Sequence, residues 1–391
     1  MIERLTSQAT LPADGTVGTL VGRAWVPGEI AGPSIVVVRP AGVFELAVAA
    51  TMSDLLDADD PVVLARAGDA RRLGDLDEIL ANSGPDWRED GMPHLLAPCD
   101  LQAIKACGVT FAASMIERAI EEQAGGNAAR ADAIRGEITD LIGGDLGAIV
   151  PGSPEAARLK DDLVRRNAWS PYLEVGIGPD AEIFTKAQPM AAVGTGAEIG
   201  LHPDSSWNNP EPEIVLAVNS RGETVGAALG NDVNLRDIEG RSALLLGKAK
   251  DNNASCAIGP FIRLFDDSFG IDDVRAAEIA LTVDGPEGYH LTGHSSMAQI
   301  SRDPLDLVAA TGGPTHQYPD GFMLFCGTLF APTEDRETPG QGFTHKIGDV
   351  VTIETAALGA LVNQVNRSDE APPWTFGARE VMRNLADRGL I

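Results

Sequence analysis

Glu211 and Glu213 stand on either side of Pro212, directly before the apolar, β-branched run 214–218. Because side chains of a strand alternate between its two faces, this spacing places both carboxylates on one face. Two carboxylates held that close repel each other unless a proton or a cation lies between them. Proline is tolerated at the start or the edge of a strand. The segment is therefore predicted to be a strand whose first residues carry two carboxylates into a functional site.

A third acid, Asp232, and then Lys250 follow this pair along the chain. An all-oxygen set of three carboxylates suits a hard divalent cation, with Mg²⁺ as the expected ion and Mn²⁺ or Ca²⁺ as alternatives. Taken singly, the glutamates fit a solvated strand end, Asp232 fits a turn, and Lys250 fits the surface. Their joint occurrence favours a metal site.

The chain carries a strong excess of negative charge. Its net charge is −27, from 57 acids against 30 Lys and Arg. Such a field repels phosphate backbones and anionic lipid, so neither nucleic acid nor membrane is an expected partner. No apolar run approaches the length of a membrane span, and the N-terminus lacks the apolar core of a signal peptide. We expect a cytoplasmic protein whose cysteines, at 99, 107, 256 and 326, are buried hydrophobes.

The pattern of short strands and turns predicts an α+β, β-rich fold. With 43 Gly and 25 Pro in 391 residues, many turns are expected. Strands are predicted at 23–26, 34–38, 43–46 and 104–111, and helices at 112–123, 128–142 (ending at Gly143 and Gly144) and 154–167. Turn residues cluster between 83 and 93. We therefore predict a small N-terminal α+β domain over 1–95 and a larger domain over 96–391.

Several familiar motifs are incomplete in this chain. The segment from Gly240 to Lys248 has the wrong glycine spacing for a P-loop, and no Gly-x-Ser-x-Gly elbow is present. His290 and His294 have a spacing that binds zinc on a helix, but the glutamate of that motif is absent. The sequence does not indicate a nucleotide enzyme, a serine hydrolase or a zinc site.

Several stretches together resemble the fumarylacetoacetate hydrolase superfamily. They are 172–175, 182–186, 210–218, 230–237, 249–261 and 325–328, in the family's order. The resemblance implies a C-terminal β-roll or sandwich domain, a homodimer or homotetramer, and Mg²⁺ bound by Glu211, Glu213 and Asp232. It also implies that Thr328 contacts the carboxylate of a small 2-keto acid. Lys186, Gln188 and Arg236 are candidates for the vicinity of the site only.

One departure from the family pattern concerns water activation. Hydrolases of the superfamily carry a His and a Glu in a motif that here reads Ser114 and Glu117. A serine hydroxyl cannot act as a general base near pH 7 without help. The stretch is closer to the branch that dehydrates 2-keto-3-deoxy pentonates, in which Glu182 and Lys250 match the acid–base pair and Ser114 lies with Thr328 at the substrate.

The chemistry of such a substrate fits the donor set. A 2-keto acid chelates a hard cation, which polarises the keto group and acidifies the C3 protons. Either Lys250 or Glu182 then takes a C3 proton, and the other protonates the departing C4 hydroxyl. For Lys250 to be a base, burial beside a cation must depress its pKa. The product of D-xylonate or D-arabinonate derivatives would be 2-oxoglutarate semialdehyde. Alternatives are a metal-dependent C–C hydrolase of acylpyruvates or diketo acids, and a non-catalytic homologue.

Overall fold

The computed structural model describes residues 1–142, 149–166, 169–328, 330 and 332–391. Sixteen strands lie within these ranges: β1 Leu20–Val26, β2 Gly32–Arg39, β3 Gly42–Leu46, β4 Ala70–Gly74, β5 His94–Leu96, β6 Ala103–Gly108, β7 Glu182–Ala187, β8 Glu198–Leu201, β9 Pro212–Val218, β10 Thr224–Asp232, β11 Cys256–Leu264, β12 Glu278–Asp284, β13 His290–Ser296, β14 Phe322–Phe325, β15 Val350–Thr355 and β16 Gly359–Arg367.

The same ranges contain thirteen α-helices. They are α1 Ser7–Thr10, α2 Met52–Leu56, α3 Pro61–Ala67, α4 Leu76–Ala81, α5 Ala112–Ala124, α6 Ala128–Ile142, α7 Pro154–Arg165, α8 Pro171–Ile177, α9 Arg236–Glu239, α10 Leu246–Lys250, α11 Ile271–Arg275, α12 Pro304–Thr311 and α13 Ala378–Asp387. Helices α5 to α7 confirm the predicted helical segments, although α7 ends at Arg165. The predicted stop of α6 at Gly143 and Gly144 lies outside the described residues.

The strands form two sheets, and the predicted β-rich mixture of helix and strand is confirmed. The larger sheet has the order β4-β3-β2-β1-β11-β10-β9-β14-β6-β7, with β5 paired to β1. The smaller sheet has the order β13-β12-β15-β16-β8. Beyond β7 the chain returns to β11, where Val193 pairs with Ala257. The larger sheet therefore curls into a roll.

The predicted boundary near residue 95 is not marked by a break in the sheet. Strand β1 pairs with β11 of the larger region, with Leu20 opposite Arg263 and Val21 opposite Ile262. Such long-range pairing leaves no local signature, since each strand alone reads like any other. Whether residues 1–95 also fold as a domain of their own stays a prediction.

Strand β9 separates two apolar cores. Its Ile214 and Leu216 pack with Leu281 of β12, between the two sheets. Its Val215 and Ala217 pack into a second core, inside the roll. Glu211 and Glu213 share the parity of Val215, so the carboxylates lie on the inner face of the roll. Pro212 begins the strand, where the sequence predicts it.

Three further expectations can be compared with the structure. The four cysteines are buried and free, as predicted. His290 and His294 lie on a strand, where they contact Asp284 and Glu278, so the helical zinc spacing does not arise. Among the helices of the described ranges, none is both long enough and apolar enough to cross a membrane.

Candidate metal centre and active site

The pairing of β9 with β10 brings three predicted acids together. Glu213 lies opposite Gly230, and the backbone N–H of Asp232 donates to the carbonyl of Glu211 at 3.0 Å. All three acids are buried. One carboxylate oxygen from each of Glu211, Glu213 and Asp232 lies within 4.8 Å of the others, a group of the size that holds a metal ion. The strand register, set by the apolar faces, therefore assembles the all-oxygen set.

Lys250 ends helix α10 and points its ammonium into this cluster. Its Nζ lies 2.5 Å from Oε2 of Glu211 and 3.1 Å from Oδ2 of Asp232. Burial opposes the charge, but the carboxylates of Asp232, Glu211 and Glu239 outweigh burial and raise the pKa of Lys250. Without a cation, the acids expected to bind the metal hold the proton on Lys250, and the depression of its pKa beside a bound cation stays a prediction.

Lys186 is a second buried ammonium at the site. From strand β7 its Nζ reaches Oδ1 of Asp232 at 2.8 Å and the carbonyl of Val233 at 3.3 Å, and it donates to the carbonyl of Lys250. Lys186 thus fixes the ends of both β10 and α10. Gln188, the other vicinity candidate on this segment, donates to Asp251 near the surface.

Arg118 is a site residue that the sequence analysis missed. On helix α5 it donates through Nη2 to Oε1 of Glu211, and its Nη1 lies 2.6 Å from Glu121 and 3.2 Å from Glu239. Arg236 lies 2.9 Å from Glu121 and completes a buried network of alternating charge. A helical spacing places residues 114, 118 and 121 on one face, which is the signal that could have found Arg118.

The environment of Glu213 indicates a need for positive charge. Its Oε2 accepts from the backbone N–H of Gly327 at 2.7 Å, and its Oε1 accepts from the hydroxyl of Thr328 at 3.2 Å. Even so, burial and then the charges of Asp232 and Glu211 raise the pKa of Glu213 well above its usual value. A divalent cation among these oxygens would offset both effects, so the donor set fits Mg²⁺.

The pKa of Glu211 is shifted in the opposite direction from that of Glu213. Burial opposes its charge, but Lys250 and Arg118 outweigh burial and lower the pKa of Glu211 to about 2. Glu211 is therefore ionised throughout the neutral pH range, which is the state in which a carboxylate binds a cation.

Glu182 is the first residue of strand β7, and its carboxyl lies near the three buried acids, where it is largely shielded from solvent. It pairs with Gly108 of β6, and a Cβ at position 108 would lie 1.8 Å from Oε2 of Glu182. Burial first, then the charge of Glu239, raises the pKa of Glu182 to about 7, against the opposing charges of Arg118 and Lys250. A carboxyl group with such a pKa exchanges protons readily at neutral pH.

A cavity of about 370 Å³ opens onto Glu211. The wall includes the side chains of Ser114, Glu117, Arg118, Arg236, Thr328 and Phe330. The hydroxyl of Ser114 donates to the carbonyl of Phe111 at 2.8 Å, and Glu117 forms an ion pair with Arg135. The structure thus brings Ser114 and Thr328 to one cavity, with Glu211 shared between that cavity and the buried acids.

Comparison with known sequences identifies a domain. Residues 172–366 match the family described as fumarylacetoacetate (FAA) hydrolase C-terminal. The chain is 31% identical over 194 residues to a probable 2-keto-3-deoxyxylonate dehydratase of Haloferax volcanii. It is 28% identical over 186 residues to a 2-dehydro-3-deoxy-D-arabinonate dehydratase of Saccharolobus solfataricus. These matches cover 50% and 48% of this chain but only 63% and 59% of the relatives, less than two thirds of either.

Solved structures share the fold. A 2-keto-3-deoxy-D-arabinonate dehydratase complexed with magnesium and 2,5-dioxopentanoate superposes with a TM-score of 0.63 at 20% identity, over 89% of this chain and 99% of that one. A fumarylacetoacetate hydrolase from the psychrophilic Exiguobacterium antarcticum gives 0.55 at 15% identity, with the same coverage. The predicted β-roll architecture is confirmed by this likeness.

Proposed function

We propose that this chain, whose residues 172–366 match the fumarylacetoacetate (FAA) hydrolase C-terminal family, is a Mg²⁺-dependent dehydratase of 2-keto-3-deoxy pentonates. The observation that carries the proposal is the buried set of Glu211, Glu213 and Asp232, in contact with Lys250 and next to Glu182. The names of the two curated relatives support the same reaction class and substrate class.

Glu211, Glu213 and Asp232 would hold the cation. A bound Mg²⁺ would supply a Lewis acid for the keto group of the substrate, and with the three carboxylates engaged as its ligands Lys250 would give up its proton more easily. Arg118 keeps Oε1 of Glu211 engaged, so that Oε2, now in contact with Lys250, is the oxygen available to a ligand.

The remaining side chains bind the substrate and move its protons. The hydroxyl of Thr328 and the side chain of Ser114 line the cavity and would contact the carboxylate and hydroxyl groups of a pentonate. Lys250 takes a C3 proton, and the carboxyl of Glu182 donates a proton to the C4 hydroxyl, which leaves as water. A carboxylic acid whose pKa is raised to about 7 by burial suits that second role. The dehydrated chain then rearranges through C5 to the semialdehyde.

The alternative reaction is metal-dependent C–C hydrolysis of an acylpyruvate. It needs a base that activates water, and the cavity offers Glu117 for this role. Glu117 is engaged with Arg135, and Ser114 stands where the hydrolases have their histidine. These two features favour dehydration over hydrolysis.

Product analysis tests the proposal. The purified protein with Mg²⁺ is incubated separately with 2-keto-3-deoxy-D-xylonate, with its C4 enantiomer 2-keto-3-deoxy-L-arabinonate, and with an acylpyruvate. We expect a semialdehyde from a pentonate and no pyruvate from the acylpyruvate. Pyruvate release without semialdehyde would replace the dehydratase by the hydrolase, and no turnover of either class would favour the non-catalytic homologue. The homodimer or homotetramer and the cytoplasmic location stay predictions.

A further inference from the structure

A second cavity lies apart from the catalytic one. It has a volume of about 300 Å³ and is bounded by β1 and β5, by residues 190–194 after β7, and by residues 372–376 before α13. None of its wall residues belongs to the catalytic cavity. We infer that this cavity, named here the Arg23 cavity, is a binding site for a small organic carboxylate with a flat apolar body.

The charge that would hold a carboxylate comes first from Arg23. Its guanidinium is buried, and Nη1 donates to the carbonyl of Cys99 at 2.6 Å. Its Nη2, in contrast, has only the thioether of Met190 at 3.7 Å as a partner in the described part of the chain. A thioether is a weak acceptor. Asp100, 3.7 Å from Nε, already accepts from the backbone N–H groups of Met52 and Leu101. Arg23 therefore retains donors that a carboxylate can use.

Arg88 adds a second guanidinium to the same wall. Its Nε is buried and has no hydrogen-bond partner among the described residues, while its Nη2 donates to the carbonyl of Ser83 at 3.0 Å. The one carboxylate in the wall, Glu198, accepts from Asn366 at 3.0 Å. The two guanidinium groups are set against Glu198 in the wall and Asp100 behind Arg23, so the surroundings are close to neutral although the molecule as a whole is strongly acidic. On a strongly acidic molecule, a neutral recess that contains two guanidinium groups favours an anion over the rest of the surface.

Aromatic rings supply the apolar part of the wall. Trp25 and Phe376 meet edge to face with their centroids 5.3 Å apart, and Trp374 is half exposed at the mouth, after Pro372 and Pro373. Rings of this kind bind flat apolar groups through stacking and edge contacts. A cavity with apolar walls and a few convergent polar donors has the make-up of a small-molecule site.

Binding of benzoate to the full chain tests this inference. Benzoate is titrated calorimetrically in buffer without divalent cations. Three matched probes are titrated beside it: acetate lacks the ring, benzyl alcohol lacks the negative charge, and benzylamine carries a positive charge instead. We expect saturable binding of benzoate that is at least about tenfold tighter than binding of the other three probes. The variants Arg88→Gln and Trp374→Ala should each weaken benzoate binding about tenfold, whereas Arg383→Gln, on the exposed face of α13, should not.

The catalytic cavity is the internal control. A Lys250→Met variant should bind benzoate as the wild type does, because Lys250 is not among the residues that line the Arg23 cavity. The inference is overturned if benzoate shows no saturation up to about 10 mM. It is equally overturned if benzyl alcohol binds as tightly, or if Lys250→Met removes binding and Arg88→Gln does not.

Discussion

Single residues decide which proton goes where. The pKa values of Lys250 and Glu182 are both raised, but for different reasons: nearby carboxylates stabilise the ammonium of Lys250, whereas burial and the charge of Glu239 favour the neutral carboxyl of Glu182. Two titrating groups with environments this different are suited to separate acid and base roles. Two predictions follow from the assignment of Lys250 as base and Glu182 as acid.

The first prediction separates the two proton transfers. In D₂O with Mg²⁺, Glu182→Gln should still exchange a C3 proton of the pentonate, because Lys250 is intact, but should form semialdehyde at least about a hundredfold more slowly. Lys250→Met should lose both exchange and product. Proton NMR of the substrate, against an enzyme-free sample, measures the exchange. Exchange that persists in Lys250→Met and vanishes in Glu182→Gln would reverse the two roles.

The second prediction concerns pH. Glu182 donates a proton only while protonated, so kcat should fall as pH rises through about 7, the pKa of this group. Glu239→Gln removes a negative neighbour that raises this pKa, and the falling limb should then move about one unit to lower pH. Glu380→Gln, on the surface helix α13, serves as the control. If the falling limb of the kcat–pH profile lies at the same pH in Glu239→Gln as in the wild type, a group other than Glu182 controls that limb.

At the scale of elements, the pairing of the strands determines where the carboxylates of the site lie. The carboxyl of Glu182 lies over position 108 of β6, where the absence of a side chain leaves room for it, since a Cβ there would be 1.8 Å from Oε2. Likewise the turn after β14 needs Gly327, whose φ of +102° favours glycine and whose N–H binds Glu213. Glycines at positions 108 and 327 therefore leave the space and the backbone geometry that the carboxylates of the site need.

The third prediction tests this positioning. Gly108→Ala should displace the flexible Glu182 side chain and lower kcat at least about tenfold, since small misplacements of catalytic groups are costly. The free energy of unfolding, measured in urea, should change by no more than about 1 kcal/mol. Gly28→Ala, where a Cβ meets nothing within 4 Å, is the matched control and should leave kcat unchanged. A fully active Gly108→Ala protein would contradict the account of Glu182.

At the scale of the whole molecule, the sequence predicts the donor set better than its surroundings. Glu211, Glu213 and Asp232 are recognisable because strand alternation is local and the family order is distinctive. Arg118 is not recognisable, and Lys186 is only a candidate for the vicinity, because their contacts depend on how α5 and the end of the rolled sheet pack against β10. The continuity of the sheet across residue 95 depends in the same way on a distant pairing of β1 with β11.

The central claim is that the three buried carboxylates bind one divalent cation per chain. Electron paramagnetic resonance of free Mn²⁺, with Mg²⁺ as competitor, measures this binding directly. The account predicts one site per chain that Mg²⁺ displaces, weakened at least about a hundredfold in Glu213→Gln and retained in Glu117→Gln. Stoichiometric binding that survives Glu213→Gln, or no binding to a folded wild-type protein, would contradict it.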